Sequence, residues 1–303
     1  MIDTKLITLV ALSEKGNFTR VAEELSRTQP AVSHHILLLE QELGVKLVIR
    51  GKGEAVLTEE GKIVVNYAKK IIGLYDKRAV EVKDSEHHLT NLKIGITHTS
   101  ESNIRMVVLA KVSTLIDKMN ITVITDTIKN LYDKLDNYEI DLATIDEKAN
   151  PEKYSSLLLD TDYLVCILSK SNPLSKNSIL TIKDLKKEKR ILRLKDSATR
   201  RQFDSALISI NESVDDFNVI REIDNIATIK SLVRKNLGIS ILARSACLDE
   251  IEKDKLKALP IENLSMIRET NIIYNKNNDF SNILQLIYKT YQDGYPKSKR
   301  ITN

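Results

Sequence analysis

Residues 28–47, TQPAVSHHILLLEQELGVKL, combine a sharply defined helix start with a helical apolar pattern. Thr28 can cap the first turn with its hydroxyl, and Pro30 is tolerated there because the first backbone N–H groups of a helix have no intrahelical partner. Gly44 is predicted to end the helix. The predicted core face is spaced by four, three and four residues: Val32, Ile36, Leu39 and Leu43. The stretch therefore predicts a helix that packs on one side and presents a polar N-terminal end on the other.

The segments on either side of this helix complete a larger pattern. A shorter helix is predicted at about residues 19–25, and a tight turn at residues 26–28 joins it to the quoted stretch. After the stretch, residues 45–49 and 55–57 are β-prone, with a basic tip at residues 50–53 between them. A second helix with a polar N-terminal half fits the major groove of DNA, and a basic hairpin beside it is typical of a wing. The pattern alone leaves open two helices that merely pack together.

The chain beyond residue 57 divides into one long helix and an α/β region. Thr58 and two acidic residues open the helix, which is predicted to run to about residue 84 with apolar residues on two sides. Such a helix favours a second copy of the chain as its partner, while packing on its own domain stays open. From residue 91 strands alternate with helices, a pattern typical of parallel sheets covered on both faces. About 200 residues of this kind predict two lobes with a ligand cleft between them.

Composition and spacing argue against several classes of protein. The two cysteines, Cys166 and Cys247, form neither a disulfide framework nor a zinc spacing, and Cys166 is predicted to be buried and inert, which disfavours redox sensing. No apolar run approaches the roughly 18 residues of a membrane span, no signal peptide is predicted, and the cytoplasm fits best. No nucleophile–base pair, phosphate loop or metal spacing stands out, so we expect neither an enzyme nor a cofactor.

The charge distribution limits how a nucleic acid could be bound. The net charge is +4 at pH 7, but residues 1–90 contain 13 basic and 13 acidic side chains. Binding by this part would therefore depend on a local basic surface and not on a global field. The candidate phosphate contacts are Arg27, Arg50 and Lys52. The candidate recognition end of the helix comprises Thr28, Gln29, Pro30, Ser33 and His34, of which Gln29, Ser33 and His34 are the predicted base contacts.

Polar residues at the strand ends are the candidate ligand contacts. Four follow the first strand of the α/β region: Thr97, Thr99, Ser100 and Ser102. Three lie at the corresponding turn of the second lobe, Ser197, Thr199 and Arg200, and two more are predicted to line the same cleft, Asp146 and Asn225. Hydroxyls, helix N-terminal N–H groups and a guanidinium together suit a small carboxylate. Serine and threonine are also common caps and turn residues, so ordinary structural roles stay open.

Motifs at fixed spacing connect the chain with a known family. In the first 61 residues they are Gly16-Asn17-Phe18-Thr19, Ala22, Leu25, Gln29-Pro30-Ala31-Val32-Ser33, Ile36, Leu39-Glu40, Leu43-Gly44, Leu47, Arg50 and Leu57-Thr58-Glu59-Glu60-Gly61. Looser ones follow: Leu92-Lys93-Ile94-Gly95, Glu139-Ile140-Asp141-Leu142-Ala143, Asn172-Pro173-Leu174, Ser197-Ala198-Thr199-Arg200 and Gly238-Ile239-Ser240-Ile241-Leu242. With these motifs the chain resembles the LysR-type family of bacterial transcriptional regulators over essentially its whole length. The departures from the family's pattern are Leu37, Leu38, Val48, Asp196 and Ala198.

The resemblance implies both an architecture and a function. The implied parts are a winged helix-turn-helix at residues 1–60, a dimerising linker helix at 61–90, and a two-lobed, periplasmic-binding-protein-like α/β effector domain at 91–303, with lobe I at about 91–160 and 268–303 and lobe II at about 161–267. The implied partners are double-stranded promoter DNA, a small-molecule effector, further copies of the chain as a homodimer or tetramer, and RNA polymerase. The alternative left open is a small-molecule binding protein whose N-terminal helices only dimerise.

Overall fold

A computed structural model describes residues 2–51, 54–87, 90–98, 104–278 and 280–294. The chain forms two compact units, one containing everything up to the end of the long helix together with residues 136–139, and the other containing residues 90–135 and the chain from 140 onward. The elements of the first unit are α1 (Thr4–Lys15), α2 (Phe18–Glu24), α3 (Gln29–Leu43), β1 (Val48–Arg50), β2 (Ala55–Leu57) and α4 (Glu59–His87).

The first unit has the predicted helix-turn-helix and hairpin. The turn between α2 and α3 is tight because Ser26 adopts a left-handed backbone conformation, with φ of 50°. Gly44 ends α3, as predicted, at φ of 69°. Strands β1 and β2 pair antiparallel, and the backbone N–H of Gly51 donates to the Glu54 carbonyl across the hairpin at 2.8 Å. The helices pack on one buried core: Leu9, Ala11, Leu12, Val21, Ala22, Val32, Ile36, Leu39, Leu47, Val48 and Val65.

The C-terminal end of α3 corrects the predicted core face. Leu43 is 45% exposed, whereas Glu40 is 8% exposed. The chain reverses at Gly44, and Leu47 fills the core position that the helical spacing had assigned to Leu43. Glu40 is buried because its carboxylate serves that reversal, accepting from the backbone N–H of Leu47 at 2.9 Å and of Val48 at 3.3 Å.

Helix α4 begins at a cap that also ties it to the chain before β1. Thr58 Oγ1 accepts from the Gly61 N–H at 2.9 Å and donates to the Lys46 carbonyl at 2.7 Å. A Cβ on Gly61 would lie 2.1 Å from the carbonyl oxygen of Leu47, so only glycine allows this close approach. Farther along α4, the predicted apolar residues differ in burial. Ala68 is fully buried in its own unit, whereas Ile71 and Val82 are 47% and 58% exposed.

The second unit is an α/β structure with one long mixed sheet. Its first half comprises β3 (Thr90–Thr97), α5 (Ile104–Leu115), β4 (Met119–Asp126), α6 (Ile128–Asp136), β5 (Leu142–Ile145) and β6 (Tyr154–Leu168). Its second half comprises α7 (Ile182–Lys187), β7 (Arg190–Leu192), α8 (Ala198–Ser209), β8 (Val219–Glu222), α9 (Ile226–Arg234), β9 (Ser240–Ala243), α10 (Leu248–Glu252), β10 (Lys257–Leu259), β11 (Ile267–Asn275) and α11 (Ser281–Gly294). The strand order is β10-β6-β11-β5-β3-β4, with β9 also on β6.

The sheet corrects the prediction of parallel strands throughout. Strand β3 is parallel to β4 and β5, as the alternation with helices predicted. Strands β6 and β11 are antiparallel to each other, and β11 is antiparallel to β5. The reason is that β11 lies between β5 and β6 and runs opposite to both. Strand β6 is also longer than expected, with 15 residues, because the sequence predicts a strand only for its apolar part at residues 163–169. The fold is therefore the expected α/β type with a mixed sheet.

Two groups of buried side chains define the two predicted lobes. In lobe I the cores contain Leu92, Ile94, Leu142 and Ile272 beside the group around Leu131, Ile145 and Ile273. In lobe II one core contains Leu164 to Leu168 of β6 with residues of β7, β9 and helices α8 and α9. Strand β6 contributes its first half to lobe I, where Leu159 is buried, and its second half to lobe II. Strands β6 and β11 thus cross between the lobes.

We predict that Glu40→Gln lowers the free energy of unfolding by about 1–3 kcal/mol, because the amide replaces a buried acceptor of two backbone N–H groups with a weaker one. Burial raises the pKa of Glu40, but hydrogen bonds from Lys46, Leu47 and Val48 outweigh it and leave the pKa below its ordinary value of 4.5. A lowered folded-state pKa means that the carboxylate stabilises the fold above about pH 4.5 and loses this effect as the pH falls further.

Denaturant unfolding at pH 7 and pH 3.5 tests this prediction. The matched control is Glu23→Gln, at an exposed position of α2. The difference between the two variants should be large at pH 7 and shrink at pH 3.5. Equal stability of both variants at pH 7 would contradict the role assigned to Glu40.

We predict that both cysteines react slowly with a thiol reagent such as DTNB in the folded protein. Burial raises the pKa of the Cys166 and Cys247 thiols to about 12, and both side chains are 0% exposed. Because the thiolate is the nucleophile, neither should be labelled at pH 8 until the protein unfolds. Labelling of either thiol within seconds under native conditions would show that the burial, and the interpretation of Cys166 as inert, is wrong.

Candidate nucleic-acid interface and ligand cleft

The N-terminal end of α3 is built as the sequence predicted. Thr28 is extended, with φ of −89° and ψ of 149°, and its hydroxyl accepts from the Ala31 N–H at 3.4 Å. Pro30 lies in the first turn, where its missing N–H costs no intrahelical bond. The first turn therefore starts sharply, and the side chains of Thr28, Gln29 and Pro30 are all exposed.

The polar side chains on this end are accessible to a partner. The Gln29 amide Nε2 donates to Ser33 Oγ at 3.1 Å, one turn farther along α3. Ser33 is half-buried and His34 is exposed. His35 is different, since its Nδ1 lies 2.9 Å from Oγ1 of the fully buried Thr8. This contact ties His35 to helix α1, which favours a structural role for it and not a contact with DNA.

The predicted phosphate contacts lie on both sides of α3 in the sequence. Arg27 is exposed in the turn before α3, and its backbone N–H donates to the Ala22 carbonyl at 2.8 Å. Arg50 is exposed at the end of β1, with its guanidinium carbon 4.8 Å from the centre of the Phe18 ring. This cation–π contact fixes the stem of Arg50 while the charge stays accessible. Lys52 lies outside the described residues.

A cleft of about 840 Å³ lies between the two lobes of the second unit. Its lobe I wall includes Thr97 at the end of β3 and the start of α6, and its lobe II wall includes the start of α8. Each helix N-terminus is capped by a side chain of its own, since Thr127 Oγ1 accepts from the Asn130 N–H and Ser197 Oγ accepts from the Arg200 N–H. Two helix N-termini thus contribute positive ends of their dipoles to one cleft.

The structure separates the predicted ligand contacts into three groups. Thr97 and Ser197 line the cleft. Thr99, Ser100 and Ser102 lie outside the described residues. The remaining four, Asp146, Thr199, Arg200 and Asn225, are not among the residues that line the cleft. Asn225 is exposed and caps α9, accepting from the Thr228 N–H at 2.9 Å, and Thr199 is only 2% exposed.

Arg201, and not the predicted Arg200, lines the cleft. The Arg200 guanidinium is buried and donates through Nε to Asp204 at 2.8 Å and through Nη1 to Glu222 at 2.7 Å. Arg201, one position farther along α8, lines the cleft. The prediction for Arg200 is therefore revised, because a 100° step around the helix turns one arginine into the lobe and the other toward the cleft.

The charged residues of the cleft that were not predicted include Arg193, Glu147 and Asp224. Arg193 follows β7 directly and Asp224 lies between β8 and α9, so both occupy strand ends, where ligands of α/β proteins commonly bind. That position is the signal that could have identified them. Arg193 Nη2 donates to Asp224 Oδ1 at 2.8 Å. Burial raises the pKa of the Glu147 carboxyl, with the charge of Arg201 opposing the rise.

Asp146 is buried and bonds to Thr97, a residue of the cleft wall. Its carboxylate is 4% exposed and accepts from Thr97 Oγ1 at 2.7 Å and from Thr270 Oγ1 at 3.0 Å. Asp146 Oδ1 also lies 3.6 Å from Nη2 of Arg268, whose other carboxylate neighbour, Asp162, is at the same distance. Asp146 therefore holds the hydroxyl of Thr97 in place, and lines a neighbouring cavity of about 610 Å³ together with Arg268.

Within the residues that the structure describes, no cluster of three or more histidine, cysteine, aspartate or glutamate side chains has an arrangement that could hold a metal ion. Among the helices that the structure describes, none combines the length and the apolar character needed to cross a membrane.

Comparison with known proteins identifies the family. The model described as "Bacterial regulatory helix-turn-helix protein, lysR family" matches residues 4–62, and the model described as "LysR substrate binding domain" matches residues 86–293. A probable RuBisCO transcriptional regulator of Thalassiosira pseudonana is 28% identical over 286 residues, which cover 92% of this chain and 92% of that protein.

Solved structures show the same fold. Full-length CbnR complexed with its target DNA matches with a TM-score of 0.66 and 16% identity, covering 97% of this chain and 100% of that chain. The regulatory domain of CcmR from Synechocystis PCC6803, in complex with 2-PG, matches with a TM-score of 0.58 and 19% identity, covering 67% of this chain and 96% of that chain. With both family models matched in their expected order along the sequence, the chain belongs to the LysR family of transcriptional regulators.

Proposed function

We propose that this chain is a non-enzymatic, cytoplasmic regulator that binds promoter DNA as a homo-oligomer and responds to a small molecule held between the lobes of its effector domain. The observation that carries the proposal is the exposed polar N-terminus of α3, together with the exposed Arg27 in the turn before it and the exposed Arg50 at the end of β1. A helix end of this kind fits the major groove, and exposed arginines of the same unit suit the phosphates. The CbnR–DNA complex and the CcmR complex with 2-PG support both halves of the proposal by analogy.

The residues proposed for DNA have separate roles. Gln29, Ser33 and His34 contact base edges, because they are the polar side chains on the leading turns of α3. Thr28 and Pro30 fix the start of the helix. Arg27, Arg50 and Lys52 contact phosphates and so contribute affinity without sequence preference.

The cleft is the proposed effector site. The proposed domain boundaries of the chain are those that the sequence predicts, at about residues 61 and 91. Within the site, Thr97 and Ser197 contribute hydroxyls from opposite walls. The effector acts by preferring one arrangement of the lobes over another, since a ligand shifts such an equilibrium only through its differential affinity. RNA polymerase is the proposed further partner on DNA.

We predict that Gln29→Ala weakens binding to the duplex from upstream of the protein's own gene by about tenfold, the order expected for one lost bidentate base contact. Gln41→Ala is the matched control, because Gln41 is exposed on the same helix twelve residues farther along, about 18 Å from Gln29. Fluorescence anisotropy with a labelled duplex, against a scrambled duplex of equal composition, measures both affinities.

The salt dependence separates phosphate contacts from base contacts. Arg27→Gln should reduce the slope of log affinity against log salt by about one, equally for specific and scrambled duplexes. Lys83→Gln, an equal change of charge on α4, is the control. Binding that neither prefers the upstream duplex nor weakens with salt would contradict the regulator and favour a protein that only binds small molecules.

We predict that Leu74→Lys converts the oligomer to a smaller species. Five exposed apolar residues of α4 fall within an arc of about 100° on a helical wheel: Ile63, Tyr67, Ile71, Leu74 and Val82. A lysine in this stripe would bury an unpaired charge in any helix pair that covers it. Val80→Lys is the matched control, because Val80 is also exposed but lies about 120° from Leu74 around the helix, outside the stripe.

Size-exclusion chromatography with light scattering measures the mass of both variants at equal concentration. The expected result is a lower mass for Leu74→Lys and an unchanged mass for Val80→Lys. If both variants kept the mass of the unaltered protein, the stripe would not be the oligomer interface.

A further inference from the structure

Arg193 is one of three described arginines, with Arg190 and Arg268, that have buried guanidinium nitrogens without a hydrogen-bond partner, and it is the one of these three that lines the cleft. Its side chain is 4% exposed and it lines the cleft. Nη2 is bonded to Asp224, but Nε and Nη1 are buried and have no hydrogen-bond partner among the described residues. A buried guanidinium whose donors lack partners is costly, so this arrangement calls for an explanation at a ligand cleft.

Arg200 shows that the same lobe can satisfy a buried guanidinium. It is also 4% exposed, yet its Nε donates to both carboxylate oxygens of Asp204 and its Nη1 donates to Glu222. The fold therefore provides Arg200 with internal carboxylates on two sides. Arg193 has one carboxylate, that of Asp224, and its side chain forms part of the cleft wall.

The surroundings of Arg193 favour an anion on the lobe II wall. The N-terminal end of α8, a helix of 12 residues that starts at Ala198, lies in the same wall, and so does Arg201. Both contribute positive potential toward the cleft. The lobe II wall holds two carboxylates, Asp196 and Asp224, beside its two arginines, whereas the lobe I wall holds three carboxylates, Asp126, Asp133 and Glu147, beside the single lysine Lys129. An anionic ligand group is therefore favoured at the lobe II end of the cleft and disfavoured at the opposite wall.

The bond to Asp224 occupies the nitrogen that an incoming anion needs most. A guanidinium can bind a two-oxygen anion along either of two edges, one formed by Nε and Nη2 and the other by Nη1 and Nη2. Nη2 therefore belongs to both edges. Asp224 holds Nη2 through a single carboxylate oxygen, and its own side chain is 55% exposed. The ion pair between Arg193 and Asp224 is thus a weak contact, because the Asp224 carboxylate is exposed. It occupies an edge of the guanidinium at which a two-oxygen anion would make two contacts.

We propose that Arg193 is the anchor for an anionic group of the effector, a carboxylate or a phosphate, and that Asp224 is an internal competitor which this group displaces. The proposal rests on the proposed function only in taking the cleft as the effector site. Asp224 lowers the affinity for every anion, so that a ligand must bring further contacts, such as those to Thr97 on the other wall, to displace it. Asp224 thereby makes the cleft selective against simple anions.

The test uses the full chain with inorganic phosphate and with acetate as probes, at an ionic strength kept constant with sodium chloride. The midpoint of thermal unfolding, followed with a fluorescent dye, is measured against probe concentration, because a ligand of the folded state raises it by mass action. Asp224→Asn should lower the half-saturating concentration of at least one probe by about threefold to tenfold, the range of a partly exposed ion pair. Arg193→Gln should abolish saturable binding.

Two matched controls define the effect of charge alone. Asp215→Asn and Arg221→Gln alter exposed residues of the same lobe that do not line the cleft, and both should titrate like the unaltered protein. Arg193→Lys keeps the charge without the two-pronged geometry and should bind phosphate more weakly than the unaltered protein. If Arg193→Gln failed to fold, Asp224→Asn would still decide the matter, because its side chain is exposed.

The outcomes separate this proposal from the regulator itself. A response to phosphate alone assigns a phosphate ligand, and a response to acetate alone assigns a carboxylate. Equal affinities of Asp224→Asn and Asp215→Asn, or saturable binding by a folded Arg193→Gln, would overturn the anchor and its competitor. Binding to the upstream duplex is measured separately, so a regulator that binds DNA while Asp224→Asn changes nothing refutes only the proposed anion site.

Discussion

The paired strands β6 and β11 hold the effector domain together at the point where its two lobes meet. Their ladder aligns Arg268 with Asp162, and the bulge after Thr270 shifts the register before β11 enters the core of lobe I. Asp146 approaches the same guanidinium from the end of β5. All three side chains are at most 7% exposed. Removing one member of such a buried ionic group would leave the other charges uncompensated and so destabilise the crossing.

The crossing also connects the cleft to the body of both lobes. Asp146 accepts from the hydroxyl of Thr97 in the cleft wall, while Asp162 accepts from Ser245 Oγ, just after β9 in lobe II, at 2.6 Å. A ligand that changes the bond to Thr97 therefore changes the carboxylate that faces Arg268. Contacts of this kind are a physical route for coupling only if the crossing has two arrangements with similar free energy.

The sequence predicted features that depend on local rules better than features that depend on tertiary contacts. The cap at Thr28, the end of α3 at Gly44 and the start of α4 after Thr58 follow from capping chemistry, and all three are present. Leu43 was wrongly assigned to the core and the burial of Glu40 was not predicted, because helical periodicity does not show where the chain turns back. The first half of β6 was missed because it alternates in burial and carries Asp160 and Asp162, which disguise a strand that crosses between lobes.

The candidate site shows the same limit more sharply. Serine and threonine at strand ends pointed to the right region, and Thr97 and Ser197 do line the cleft. The sequence could not distinguish Arg200 from Arg201, since only the phase of α8 determines which side chain enters the lobe. Arg193 was missed for a related reason. Its importance lies in donors without partners, and a sequence records which donors a residue has but not which of them the fold satisfies.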